Sequence, residues 1–329
     1  MKKVFLILAL LFSLLISGCF ALRMVVNNAG DAIFSSPKKT PYKIKNPVKD
    51  SIKLSALWVG HSSILLQIYN KVIIMDPFFQ EKLGGLVMRK KEPGLDLDYL
   101  PKLDLILISH SHMDHLSFSS LDDIAEKFPG RNLVFPKGVE YYLPDFDLNL
   151  IRVNNSKSQN GEYIGEPICS DGIKITPVYA HHTGGRYTFD TYTWKVPGVT
   201  GYIIEYKDVC VYFAGDTGYK DKAFKKIGEK FNINLAFIPI GPCRNCDSSG
   251  FWFHTSSIEA LQLFEDLKAD YMIPIHFGTV EYFSDSNYPL FAMTEILSTP
   301  DSKYSHLADK IKILKQGEQI IWKEELTNK

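Results

Sequence analysis

The sequence has no excess of charge of either sign, because 37 Lys and Arg residues balance 37 Asp and Glu residues over 329 positions. The chain therefore lacks the global basic field that draws a protein onto nucleic acid, although a local basic patch is compatible with this balance, and no nucleic-acid partner is expected. Internal repeats and low-complexity tracts are absent as well. With 45% hydrophobic and 13% aromatic residues, the chain can instead form one large globular domain or two small ones.

Cysteine is scarce, with five residues in the whole chain. Cys243 and Cys246 form a single C-x-x-C pair, which is a disulfide or two free thiols in an exported protein. One pair lacks the four ligands of a structural zinc site, so no metal is assigned to it. Cys169 and Cys210 are interpreted as small packed apolar residues. A metal site in this chain therefore has to be built from histidine and carboxylate groups.

Long apolar runs are also lacking, apart from "VFLILALLFSLLIS" directly after "MKK" at the start of the chain. This run is shorter than the about 20 residues of a comfortable membrane span, and it ends at "ISGC". An apolar residue, two small residues and a cysteine resemble the bacterial lipoprotein signal. We therefore expect residues 1–18 to be a signal peptide and Cys19 to carry lipid, with a simple secretory signal and a chance cysteine as the alternative.

Both interpretations predict export. With the lipid, the protein is expected in the cell envelope as a membrane-anchored lipoprotein, on its periplasmic or extracellular face. Residues 20 to about 50 show no periodicity and contain Pro37, Pro41 and Pro47, so 19–50 is predicted to be a lipidated tether. Residues 51–329 are predicted to form the folded domain.

Short β-rich runs begin at Ser51. "KLSALWV", "SILLQIY" and "KVIIMD" are separated by Gly60-His61 and Asn70-Lys71, which predicts a meander of strands joined by tight turns. The almost wholly apolar "LDLILIS" (103–109) predicts a strand buried on both faces, and residues 117–128 predict an amphipathic helix that begins at a Ser cap. The loop between them reads "SHSHMDH", with three histidines and an aspartate in six positions.

The second half of the chain repeats this arrangement. Predicted strands over 173–180, over "VCVYFAG" and over 270–275 end at His181-His182, Asp216 and His276, and a helix is predicted over 255–269. Together with the strand over 103–109, four strands thus deliver a His or an Asp at their C-terminal ends. Loops held by rigid elements are where functional groups concentrate.

These side chains are suited to metal binding. Two cations that share a nucleophile need six or seven imidazole or carboxylate ligands, and Zn²⁺ fits this donor set best, with Fe or Mn as further possibilities. A lone histidine is more often structural than a ligand, but no packing requirement asks for four such groups in one loop. The candidates are His110, His112, Asp114, His115, one of His181 and His182, Asp216 and His276.

At these residues the sequence resembles a known family. "SHSHMDH" is similar to the His-x-His-x-Asp-His signature of the metallo-β-lactamase superfamily. "AGDTGY", "FIPIG" and "PIHFGT" resemble later motifs of its N-acylphosphatidylethanolamine phospholipase D branch, and the similarity runs from "IKNP" to residue 279.

The resemblance implies an α/β fold, a four-layer αββα sandwich with metals at one edge. Carried over, His110, His112 and a later His bind the first metal, Asp114, His115 and His276 bind the second, and Asp216 bridges them. His182 is preferred over His181 because Arg186 follows it by four residues, as in the family pattern. His254 aligns with a non-ligand histidine near the reacting centre. His61 and His181 remain candidates for supporting positions, and a structural turn histidine is an equal interpretation of His61.

We therefore expect a metal-dependent hydrolase with two Zn²⁺ ions, in which Asp114 and His254 take part in catalysis. Water activated near Asp114 and Asp216 would attack a phosphodiester, as in an N-acylphosphatidylethanolamine phospholipase D. The same site can also attack a carboxylic ester or amide, so a lactonase is an alternative, and a non-catalytic lipoprotein binding module is an alternative of another class. The expected partners are a small-molecule or lipid substrate and the membrane that holds the anchor. The oligomeric state is not readable from the sequence.

Overall fold

A computed structural model describes residue 28 and residues 30–40, 42–154, 161–186, 190, 198–242, 253–282 and 285–323. The predicted signal peptide, the predicted lipid attachment residue Cys19, and the pair Cys243 and Cys246 lie outside these residues. Within them, no helix has the length and apolar character needed to span a membrane.

The described residues form mainly β-strands, with α-helices between some of them. The strands are β1 (Leu54–Gly60), β2 (Ser63–Ile68), β3 (Lys71–Met75), β4 (Lys82–Leu83), β5 (Val87–Met88), β6 (Leu105–Leu107), β7 (Arg131–Pro136), β8 (Leu148–Val153), β9 (Ile168–Ser170), β10 (Ile173–Val178), β11 (Gly201–Tyr206), β12 (Val209–Phe213), β13 (Leu235–Pro239), β14 (Tyr271–Ile275) and β15 (Gln319–Trp322). The α-helices are α1 (Phe118–Lys127), α2 (Asp221–Lys230), α3 (Ser257–Leu267) and α4 (Tyr288–Ser298).

Two mixed sheets carry the fold. The first has the order β15-β1-β2-β3-β6-β7-β8, the second has the order β14-β13-β12-β11-β10-β9, and β4 and β5 form a separate hairpin. Alternate residues of β1 explain the layers: Leu54 and Ala56 belong to the core shared with the second sheet, whereas Leu57 packs with Leu121 and Ile124 of α1. Helices α2 and α3 cover the other sheet through apolar side chains such as Phe224. The predicted αββα sandwich is confirmed.

The topology brings distant strand ends to one edge. Strands β3, β6, β7 and β8 run parallel, as do β12, β13 and β14, so within each group the C-terminal ends lie at the same edge of the sheet. The residues that follow β6, β10, β12 and β14 are the predicted site residues. The fold therefore gathers groups that are more than 160 positions apart, such as His110 and His276.

The predicted elements differ from the structure at their ends. The strand expected over 103–109 is Leu105–Leu107, because the Ser109 N–H is bonded to the Asp76 carboxylate at 2.7 Å rather than to a neighbouring strand. Helices α1 and α3 lie within their predicted ranges. Ser117 occupies the N-cap position of α1 but makes no side-chain cap bond, whereas Ser256 and Glu259 form a capping box at α3, a motif that contributes about 1 kcal/mol.

Part of the segment predicted as a tether lies against the domain. The backbone N–H of Lys38 donates to the Lys90 carbonyl at 3.0 Å, and Lys49 N–H donates to the Gln67 side chain at 2.8 Å. Pro37 and Pro47 are buried. The domain contacts therefore begin before residue 51.

Candidate metal centre

Three imidazoles converge at the first part of the site, which we call the imidazole half: His110, His112 and His182. His110 Nε2 lies 2.8 Å from His112 Nδ1, and His182 Nε2 lies 3.1 Å from that same atom. Backbone and hydroxyl groups fix the remote ring nitrogens, since Ser109 Oγ lies 2.9 Å from His110 Nδ1 and the Phe253 carbonyl lies 2.9 Å from His182 Nδ1. Three nitrogens from two separate loops are thus aimed at one another.

Arg186 holds the loop that carries the signature. Its guanidinium donates to the carbonyls of Ser111, at 3.3 Å, and Leu116, at 2.8 Å, and its Cζ lies 3.7 Å from the centre of the Phe118 ring. It therefore ties both ends of "SHMDHL" (111–116) to the segment that presents His182. This contact gives a physical reason for the spacing of four residues between His182 and Arg186.

The imidazole half keeps its histidines neutral. Burial lowers the pKa of His112 from 6.5 to about 4 and that of His182 to about 3, against the opposing effect of Asp216 or Asp114. Burial and the neighbouring histidines also hold the pKa of His110 well below 6.5. Because a metal binds only the unprotonated imidazole, this half is ready to accept a cation without releasing a proton near neutral pH.

The second part of the site, the carboxylate half, consists of Asp114, His115 and His276. Asp114 Oδ2 lies 3.9 Å from His115 Nε2 and 3.8 Å from His276 Nε2. His276 has a left-handed backbone, with φ of 64°, directly after β14, and its N–H donates to the His61 carbonyl at 3.1 Å. The strand end thus turns sharply and presents this ring next to the signature loop.

Asp216 stands between the two halves. Its Oδ2 lies 3.2 Å from Nε2 of both His115 and His276, and 3.9 Å from His182 Nε2. The residue follows β12, and the φ of 59° at Gly215 suits a glycine, where an added Cβ would meet Ser109 Cβ at 2.4 Å. A single carboxylate therefore reaches both halves.

Asp76, which was not among the predicted residues, orients the carboxylate half. Its Oδ2 lies 2.6 Å from His115 Nδ1, and it also accepts from Ser109 N–H at 2.7 Å and from Ser109 Oγ at 2.6 Å. Carboxylate support of this kind fixes the tautomer of a metal-binding histidine. The signal in the sequence was slight: one Asp directly after a buried strand, in "IIMDP".

Asp114 and His115 of the carboxylate half are charged, whereas the groups of the imidazole half are neutral. Burial lowers the pKa of His115, but Asp216, Asp114 and Asp76 outweigh it and hold that pKa well above 6.5. Burial likewise raises the pKa of Asp114 and Asp216, yet His115 and its neighbours hold both well below 3.8. In the metal-free protein this half thus stores a proton on His115, which a cation has to displace.

The donor set fits two cations. Tetrahedral coordination with bonds of about 2.0 to 2.1 Å places neighbouring ligand atoms about 3.3 Å apart, near the separations of 2.8 to 3.9 Å found in both halves. Within the described chain, Oδ1 of Asp216 is buried without a hydrogen-bond partner, and Nε2 of His115 and of His276 have no partner outside the cluster. Buried polar atoms without partners are costly, and a bound cation satisfies them. The first half supplies imidazoles, the second imidazoles and a carboxylate, and Asp216 is available to both.

His254 and His181 lie in different surroundings. His254 groups with His182 and Asp216, its Nδ1 is 3.6 Å from Asp216 Oδ2, and burial lowers its pKa to about 3. His181 instead has its N–H bonded to Thr217 and its ring beside Tyr179, outside each potential metal-binding group in the described residues. The structure thus brings His182, and not His181, to the cluster.

His61 and Tyr282 also reach the carboxylate half. His61 Nε2 lies 2.9 Å from Asp114 Oδ2, and the Tyr282 hydroxyl donates to the same oxygen. His61 is therefore more than a turn residue, although its φ of 56° does belong to a turn. No motif in the sequence marks Tyr282 as a residue of the site.

Comparison with known proteins gives a family match. The model of the β-lactamase superfamily domain matches residues 71–277. A Caenorhabditis elegans protein named N-acyl-phosphatidylethanolamine-hydrolyzing phospholipase D 1 is 29% identical over 274 residues, which cover 80% of this chain and 72% of that protein. An uncharacterised protein of Mycobacterium tuberculosis is 27% identical over 241 residues, 70% of this chain but only 60% of that one.

The chain is also similar to two proteins whose names describe metal-dependent hydrolases. A UPF0173 metal-dependent hydrolase of Saccharolobus solfataricus is 29% identical over 225 residues, 68% of this chain and 83% of that protein. Among solved structures, a metallo hydrolase from Ignicoccus hospitalis superposes with a TM-score of 0.57 at 21% identity, over 83% of this chain and 99% of that one. At that identity the structural likeness speaks for the fold alone.

Proposed function

The chain belongs to the β-lactamase superfamily as a metal-dependent hydrolase of the metallo-β-lactamase fold, and from this premise we propose that it hydrolyses a phosphodiester with two bound cations. The observation that carries the proposal is the position of Asp216, whose carboxylate reaches both the imidazole half and the carboxylate half. A site for one metal would not need a carboxylate between two complete sets of donors.

The residues divide into two sets of ligands and one bridge. In this proposal, the imidazole half holds the first cation through His110, His112 and His182. Asp114, His115 and His276 hold the second, and Asp216 serves both. Among the described residues the cluster contains no thiolate and an excess of imidazoles, which favours Zn²⁺, with Fe or Mn as alternatives that metal analysis distinguishes.

When bound, two cations of this kind lower the pKa of a water molecule to about 7 and offset negative charge on the substrate. The carboxylates of Asp114 and Asp216 lie where they would accept hydrogen bonds from an attacking water and would orient it towards phosphorus. His254 is neutral at pH 7, since burial lowers its pKa to about 3, so one of its ring nitrogens can donate to an oxygen that gains negative charge. The other side chains of the site hold these groups in place.

A phosphodiester is favoured over other bonds by the relatives. The C. elegans protein that this chain resembles carries the name of a phospholipase D acting on N-acyl-phosphatidylethanolamine. A lipid substrate also agrees with the proposal that Cys19 is lipidated and that the protein sits on a membrane of the cell envelope. A lactone or another carboxylic ester is the second candidate, since the same pair of cations can stabilise either transition state.

One experiment tests the activity directly. The full chain, purified in detergent, would be stripped with a chelator and assayed on bis-p-nitrophenyl phosphate, on N-acyl-phosphatidylethanolamine and on a panel of lactones, before and after Zn²⁺ is added back. We expect phosphodiester hydrolysis that disappears on chelation and returns with Zn²⁺. Hydrolysis that survives complete metal removal would refute the mechanism, and hydrolysis of lactones alone would replace the substrate class.

A further inference from the structure

His61 is fixed in place by the segment that follows the last ligand. Its backbone N–H donates to Thr279 Oγ1 at 2.7 Å, and its carbonyl accepts from His276 N–H at 3.1 Å and from Trp58 Nε1 at 2.9 Å. The ring is 1% exposed and its centre lies 4.0 Å from that of His276. Such a side chain has little freedom, so its Nε2 points to one place.

That place is the oxygen of Asp114 that faces the cluster. His61 Nε2 lies 2.9 Å from Asp114 Oδ2, and the Tyr282 hydroxyl bonds to the same oxygen. The phenol gives its single hydrogen to Asp114, and the carboxylate of Asp114 can only accept, so His61 Nε2 carries the hydrogen of the 2.9 Å bond. The Tyr282 oxygen, 3.3 Å from the same nitrogen, is a second and longer acceptor for that one N–H. Asp114 Oδ2 thus accepts two hydrogen bonds, one from the Tyr282 hydroxyl and one from His61 as the Nε2–H tautomer.

Tyr282 is held by its ring as well as its hydroxyl. The ring is parallel to that of His276, at 3° between planes and 6.2 Å between centres, and its edge joins the small apolar cluster of Phe78, Leu83, Val87, Val280 and Met113. Both Tyr282 and His61 lie outside residues 71–277, the region that matches the family domain. Their side chains contact the carboxylate half, and within the described residues no hydrogen bond links them to the imidazole half.

We propose that His61 and Tyr282 are positioning residues that hold Asp114 in the orientation required by the second cation, and so control the affinity of that position alone. The inference rests on the proposed two-cation site. Asp114 has a short side chain on a loop, and without the two donors it can rotate away from His115 and His276. Supporting residues of this kind typically change metal affinity by about 10-fold to 100-fold.

The test uses Co²⁺ as a spectroscopic probe and requires no substrate. The full chain, stripped of metal in detergent, is titrated with Co²⁺ while the visible absorption and the bound metal are measured, in the wild type and in Tyr282→Phe, His61→Leu and His61→Gln. Tyr282→Phe keeps the stacked ring and loses only the hydroxyl. His61→Gln keeps an N–H donor near the position of Nε2, whereas His61→Leu has none.

We expect two binding phases in the wild type. In Tyr282→Phe and His61→Leu the weaker phase should move by about 10-fold or more while the tighter phase stays, and His61→Gln should recover much of the loss. Tyr179→Phe is the matched control, because its hydroxyl contacts His181 outside the cluster, and it should leave both phases unchanged.

Three outcomes would overturn the inference: both phases unchanged in Tyr282→Phe, both phases shifted equally in His61→Leu, or a saturated Co²⁺ spectrum that changes in His61→Gln, which would make His61 a ligand. A wild type that binds two cations but hydrolyses no substrate would refute the proposed function while leaving this inference intact.

Discussion

The imidazole half and the carboxylate half of the site differ in the protonation state of their histidines. In the first, burial keeps His110, His112 and His182 neutral, so the ligands are ready before a cation arrives. In the second, carboxylates surround His115 and hold a proton on it. Asp76 bonds to His115, and His61 and Tyr282 bond to Asp114. Although each half brings three donors together, we therefore expect the two halves to bind a cation with different affinities.

Removing the shared carboxylate should have the largest effect, because it abolishes the link between the halves. Asp216→Ala should lower kcat/KM for a phosphodiester by at least about 10³-fold and reduce bound metal, since in the proposed site this one group serves both cations. The measurement is hydrolysis together with metal content. Near-normal turnover in Asp216→Ala would show that the halves work independently.

Substitutions at the adjacent pair His181 and His182 should separate a ligand from its neighbour. His182→Ala removes one of three donors from the imidazole half and should lower activity by about 10²-fold or more, with one cation lost. His181→Ala should change activity by less than about threefold, because that ring lies outside the cluster. Equal losses in the two variants would contradict the assignment.

Asp76→Asn tests the support of the carboxylate half. The Asn side chain keeps the volume but weakens the 2.6 Å contact to His115, so affinity for the second cation should fall by about 10-fold to 100-fold. The first cation should bind as before. A metal titration resolves the two binding phases. A loss of affinity confined to the tighter phase would contradict the role of Asp76 in the carboxylate half.

Proton release should distinguish the halves without mutation. Since the pKa of His115 is held well above 6.5, binding of the second cation at pH 7 should release about one proton, whereas the neutral imidazole half should release almost none. Calorimetry in buffers of different ionisation enthalpy measures both values. Equal release from the two phases would remove the proposed asymmetry.

The metal-free protein should show the same asymmetry in its stability. Because the folded-state pKa of His112 is about 4 and that of His182 about 3, the unfolded chain binds more protons below pH 6.5, and the free energy of unfolding should fall as the pH drops from 6.5 to about 4. His115 acts in the opposite sense: its contribution is present below pH 6.5 and is lost as the pH rises through its raised pKa. Urea unfolding at several pH values measures the first effect. The free energy of unfolding should fall less steeply with decreasing pH in His182→Gln than in the wild type. An equal pH dependence in the two proteins would contradict this prediction.

The smallest effect is expected at Met113, which lies in the sequence between His112 of the imidazole half and Asp114 of the carboxylate half. Its sulfur packs against Gly84 of the β4–β5 hairpin and donates nothing to the cluster. A Met113→Leu exchange keeps the volume, so activity and metal content should change by less than about threefold. A larger change would give the hairpin a role in the site.

Much of this arrangement could be predicted from the sequence. The alternation of short apolar runs and capped helices predicted strands and helices at the right places, because burial dictates periodicity, and the resemblance to the family supplied the αββα architecture, which is confirmed. The residues predicted as ligands lie together in the structure. Their roles, the lipidation of Cys19 and the identity of the metal stay predictions.

Other features left no pattern to interpret. Strand β8 alternates poorly between buried and exposed residues, so it does not stand out from a loop. Asp76 resembles any turn residue after a strand, and Tyr282 gains its contacts only because the loop after β14 folds back over Asp114. Positioning residues are set by tertiary geometry, which a local pattern does not encode.

Metal content of the purified full chain is the most direct test of the two-cation site. By mass spectrometry of the metals, we predict two Zn-type cations per chain in the wild type and one in His182→Ala, with the remaining cation showing the proton release of the carboxylate half. Less than one cation in the wild type, or an unchanged content in His182→Ala, would contradict the division of the site into two halves.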